Sequence, residues 1–137
     1  MREILRIHVL CTHTERVCGK AGAAAMVFFE GEAESPYFRG RVLPGGCDTQ
    51  RITENLFQLS ARYVLEGTDA EGRPCRIFVE NNGEVREPPA DGVTHTHPAV
   101  LTDSPALQWL ERAKLSGTAT GEGEDRVLIQ IYAEDEA

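Results

Sequence analysis

A small closed antiparallel β-barrel of about eight strands, with one short helix in the C-terminal half, is the fold class this sequence predicts. Three observations predict it. Apolar and polar residues alternate with period two through most of the 137 residues, which is the side-chain period of a strand. Turn-like stretches such as "GTDAEGR" and "GEGED" separate pairs of alternating runs, as hairpins require. Only "DSPALQWLERAK" carries helical spacing.

The elements follow in chain order. In "EILRIHVLC", Leu5, Ile7, Val9 and Cys11 share one strand face, opposite Arg6 and His8. "AMVFFEGEAES" and "YFRGRVL" read as the second and third strands, with "CGKAGAA" as the loop before them. Pro44-Gly45-Gly46 then bends the chain sharply, and Asp48 and Gln50 face one side of the next extended piece. "LFQLSARYVLE" forms a long strand whose hairpin partner is "PCRIFVENNG". After the loop "REPPADG", His95 and His97 of "THTHPAV" fall on one strand face, and "AKLSGTAT" and "RVLIQIYAE" make the last hairpin. In the one helical segment, near residues 104 to 113, Ser104 can cap and Pro105 fits the first helical position. Leu107, Leu110 and Ala113 or Lys114 form its stripe, and Trp109 and Leu110 would plug one end of the barrel.

The length fits a single domain spanning residues 1–137, able to bury a core without disulfides. A net charge of −8, partly in "GEGED" and the tail "AEDEA", repels phosphate backbones and anionic lipid, so no nucleic-acid or membrane partner is expected. The first ten residues interrupt their apolar run with Arg6 and His8, unlike a signal peptide or a membrane span, and a cytoplasmic location is expected. There the four cysteines, Cys11, Cys18, Cys47 and Cys75, are free thiols, with a Cys11–Cys18 disulfide the minor alternative. Cys47 and Cys75 read as small buried hydrophobes. No C-x-x-C pair exists, and His95 and His97 lack a third ligand, so neither a metal nor any other cofactor is expected. Homo-oligomer formation is left open.

A barrel of this size is either filled by side chains or holds one small ligand. Asp48 has two readings: it caps its own turn, or the double glycine aims it, with Gln50, into the barrel mouth. Arg62 lies opposite the apolar set Phe57, Leu59, Ala61, Tyr63 and Leu65. It points to solvent in an ordinary barrel, or pairs with Asp48 inside one whose interior carries the polar set, clamping a carboxylate or enolate. Asn81, if inward, orients a substrate carbonyl; otherwise Asn81-Asn82-Gly83 is a turn. The ligand-binding candidates are thus Asp48, Gln50, Arg62, Asn81 and His97, and the acid/base candidates are Asp48, Glu80 and Glu84. The first function expected is binding of a small apolar or aromatic carbonyl or carboxylate compound. The alternatives are an isomerase, cyclase or lyase in the same cavity, or a packed structural or interaction protein.

From about Gly31 to Tyr132, "GEAESPYFRGRVLPGG", "CDTQ", "LSARYVLE", "IFVENNG" and "THPAVLTDSPALQWL" follow in an order that resembles the bacterial UPF0311 family, also called domain of unknown function 3237. The V-L-P-G-G-x-D-x-Q element, Val42 to Gln50, is the most specific part of the resemblance. The resemblance implies a small antiparallel β-barrel and no assigned reaction. The chain departs from the family pattern at Thr49, where a tryptophan is common, at Glu80 and Asn82, where arginines flank the asparagine, and at Val100-Leu101, where Phe-Glu is expected.

Overall fold

In the computed structural model, which describes residues 1–134, nine strands form one antiparallel sheet. They are β1 (Arg2–Cys18), β2 (Ala23–Glu34), β3 (Phe38–Val42), β4 (Cys47–Thr53), β5 (Leu56–Asp69), β6 (Pro74–Val85), β7 (Val93–Thr102), β8 (Leu115–Gly123) and β9 (Arg126–Ala133). β1 pairs with both β2 and β9, so the sheet closes on itself. β3 and β4 each lie between β2 and β5, β3 against Glu32–Glu34 and β4 against Ala23–Phe28. They occupy one stave, broken at Leu43–Gly46, and the barrel therefore has eight staves. The last three residues of the acidic tail lie outside the described residues. Among the described residues no helix is long and apolar enough to cross a membrane.

The break explains the double glycine. Gly45 has a φ of 105°, which favours glycine, and Gly46 is buried with the space a Cβ would need 3.0 Å from Val42 Cγ1 and 3.2 Å from the Phe29 carbonyl oxygen. The Phe29 N–H donates to the Gly46 carbonyl at 3.1 Å, so the corner stays pinned to β2.

Inward side chains divide the barrel into a solid end and a hollow end. Ile4, Leu5, Ile7, Phe38, Leu65, Ile77, Val79 and Ile131 are at most 2% exposed and fill the first. Towards the other end the inward positions become small: Ala61, Ala119 and Gly121 replace the branched residues. An eight-stave barrel is filled only where its side chains are large enough, so the substitution of small residues leaves a void.

The helix expected near residues 104 to 113 is instead one 3-10 turn, Gln108–Glu111. Leu107 and Leu110, both 2% exposed, plug the solid end, while Trp109 sits at its rim edge-on to Tyr37, 6.3 Å between ring centroids. Ser104 does not cap; its hydroxyl donates to Asp69 Oδ2 at 2.7 Å, tying this segment to the β5–β6 turn. Asn81, Asn82 and Gly83 likewise make no turn but continue β6.

Candidate functional site

The hollow end encloses a cavity of about 280 Å³. Val9, Val27, Phe29, Phe57, Leu59 and Ile129 supply most of its apolar wall. Asp48, Gln50, Tyr63, Asn81 and Thr96 are polar residues of its lining. The register sets this out: Asp48 lies opposite Ala61 across β4–β5, and Ala61 lies opposite Asn81 across β5–β6. Residues directly paired across an antiparallel ladder point to the same side, so the three form one inward row with the smallest member in the middle. At about 5 Å per strand, Asp48 and Asn81 begin about 10 Å apart, with open space over Ala61.

The polar groups in this row are poorly satisfied. Gln50 Nε2 donates to Asp48 Oδ2 at 2.8 Å. Asp48 Oδ1, Asn81 Oδ1, the Tyr63 hydroxyl and Thr96 Oγ1 are buried without any hydrogen-bond partner. Native interiors satisfy the large majority of buried side-chain polar atoms, so four on the residues around one void is an unusual concentration. Burial pushes the Asp48 carboxyl above its ordinary range, only partly opposed by the Gln50 amide and the nearby Ser60 backbone N–H. Burial alone raises the Tyr63 phenol, which is therefore neutral and free to donate. Phe29 meets the Tyr63 ring edge-on, 5.4 Å between centroids, and fixes its orientation.

The remaining sequence candidates are elsewhere. Arg62 was a possible inward partner of Asp48, and the structure corrects that: its side chain is 65% exposed on the outer wall and bonds Glu80 Oε1 at 3.1 Å. The reason is alternation. Ala61 and Tyr63 face inward, so Arg62 between them faces outward. Glu80 is outside by the same rule, beside inward Asn81. Glu84 and His97 border a shallow outer depression with Arg51 and Asn82, separated from the cavity by the wall of the barrel. Cys75 is buried, but Cys47 is only half-buried and lies opposite Arg62 in the register. All four cysteines are free, and Cys11 reaches the cavity wall. Among the described residues no cluster of three or more His, Cys, Asp or Glu is placed to hold a metal ion.

Tyr63 and Thr96 line the cavity without standing among the sequence candidates. Tyr63 falls in the apolar set of its strand, although its ring ends in a hydroxyl. Thr96 alternates with His95 and His97; placing those exposed histidines outside would have turned Thr96 inward.

Fold and site together define a closed antiparallel β-barrel, solid at one end and hollow at the other, with polar anchors in the hollow. Residues 2–133 match the family described as "Protein of unknown function (DUF3237)", and the chain belongs to that family. A UPF0311 protein of Rhodopseudomonas palustris is 32% identical over 117 residues, covering 74% of this chain and 73% of the relative. A protein of unknown function from Clostridium acetobutylicum has the same fold, with a TM-score of 0.82 at 24% identity over 98% of each chain. A structure described as an enzyme from Penicillium herquei shares the fold at a TM-score of 0.71 and 16% identity, over 97% of this chain and 92% of that one.

Proposed function

We propose that the barrel binds a small, mostly apolar molecule in its hollow end, held by Asp48, Gln50 and Asn81 together with Tyr63 and Thr96. One observation carries this reading: four residues that each hold a buried, unpartnered oxygen line one apolar-walled cavity. Ligand sites combine an apolar surface with a few placed polar groups in this way. Leaving such groups unsatisfied costs about 1–3 kcal/mol each, a cost that a bound molecule offsets. The test is to purify the protein under native conditions, denature it and identify released compounds by mass spectrometry. A compound retained by the natural protein but not by Ala119→Phe, which fills the void without removing a polar group, is the expected result. If the natural protein releases nothing and a fragment library leaves its Tm unmoved, the cavity holds only water and the reading is wrong.

A second reading, an acid/base enzyme in the same cavity, is favoured by the raised Asp48 carboxyl and by the enzyme that shares the fold. Asp48 would take a proton from carbon beside a carbonyl, and the neutral Tyr63 hydroxyl would donate to the developing oxyanion. With a bound carbonyl compound in deuterated water, exchange of that carbon-bound hydrogen should fall about 10²–10⁴-fold in Asp48→Asn while binding persists. Equal exchange in both proteins would leave binding as the sole function.

A further inference from the structure

We infer that the cavity selects uncharged, hydroxyl-bearing molecules and turns away carboxylates. This rests on the cavity being a binding site, and it names what the site takes. No lysine, arginine or histidine is among the residues that line it, and Arg62, the cation nearest in register to Asp48, is committed to Glu80 on the outer wall. A carboxylate entering here would lose its water beside another carboxyl group, with no cation to compensate it.

The free polar atoms point the same way. Asp48 Oδ1 and Asn81 Oδ1 are carbonyl-type oxygens, while the Tyr63 and Thr96 hydroxyls can accept or donate. The Asn81 amide nitrogen adds a donor, and Asp48 Oδ2 is already taken by Gln50, so the set both accepts and donates. A hydroxyl group both donates and accepts, so it can satisfy an acceptor on β4 or β6 and the phenol on β5 at once. The apolar majority of the wall then takes the carbon frame, and about 280 Å³ admits a fused two-ring skeleton. A cationic amine would lose far more hydration than a hydroxyl and find a single carboxyl as its counter-charge, a buried pairing whose desolvation cost can exceed its Coulombic gain.

Isothermal titration of the full chain with naphthalene, 2-naphthol, 2-naphthoate and 2-naphthylmethylammonium near neutral pH separates these cases. 2-Naphthol should bind at least about ten-fold more tightly than either ion, a gap of about 1.4 kcal/mol. Asp48→Asn should narrow the gap to 2-naphthoate, because it removes the repelling carboxyl while keeping the shape. Ala119→Phe should abolish binding of every probe. If 2-naphthoate or the ammonium binds as tightly as 2-naphthol, the selection is overturned while the cavity stands as a binding site. If none of the four binds, the binding reading fails and this inference falls with it.

Discussion

An aspartate whose carboxyl titrates above its ordinary range weakens a fold at neutral pH and ceases to do so in acid. Asp48 is in that position because burial disfavours its charged form. As pH rises from about 4, the unfolded chain releases this proton before the folded chain does, and the cost is complete above the folded value. Asp48→Asn removes the cost and still offers an oxygen to Gln50. It should therefore raise Tm at pH 7, with the difference from the natural protein vanishing in scans below about pH 4. Arg62 gives the contrasting case. As half of an exposed ion pair with Glu80, its replacement by alanine should cost no more than about 1 kcal/mol in chemical denaturation and leave ligand binding unchanged. Both placements can be read from alternation once a reference residue is fixed: Ile77 and Val79 inward imply Asn81 inward and Glu80 outward. The sequence could not show that Asp48 lacks a counter-ion, since that depends on which side chains the closed wall brings together.

Elements differ in how plainly they show themselves. The long strands β1, β5 and β6 stand out through inward apolar residues in alternation: Leu5, Ile7 and Val9, then Tyr63 and Leu65, then Cys75, Ile77 and Val79. β4, "CDTQRIT", is faint because its inward positions include Asp48 and Gln50, and cavity walls break the hydrophobic pattern that reveals a strand. The expected helix is shorter and tighter than its span for a different reason: Leu107 and Leu110 are three apart, a spacing that fits one 3-10 turn as well as an α-helix. That turn is a plug, so Leu110→Ala should destabilise the barrel by about 2–5 kcal/mol without touching the cavity at the opposite end. The Ser104–Asp69 hydrogen bond behind it has a pH signature. Its donation is the leading cause that holds the Asp69 carboxyl below its ordinary range. The resulting stabilisation is present above the unfolded value of about 4 and is lost as pH falls through the lower folded value. Ser104→Ala should therefore lower Tm at neutral pH and approach the natural protein in strong acid. At the broken stave, Gly45→Ala should cost about 1–3 kcal/mol through backbone strain alone, because no atom crowds that position.

Taken whole, the molecule is one sheet whose first strand is paired with its last. β1 lies against β9 from Arg2 opposite Ala133 to Leu10 opposite Arg126. Closure thus joins residues from opposite ends of the sequence, a topology that folds in milliseconds to seconds rather than microseconds. On a ribosome the consequence is sharper. While β9 is still in the exit tunnel, the emerged chain is a curled ribbon with two raw margins, and Ile4, Ile7 and Val9 line an unsealed trough. Each nascent chain would carry a strand margin able to pair with its neighbour until the final stave arrives. Translation would therefore pass through an adhesive stage that lasts until β9 emerges, a reason to expect nascent chains stalled before Arg126 to bind chaperones and chains with β9 outside the tunnel to release them.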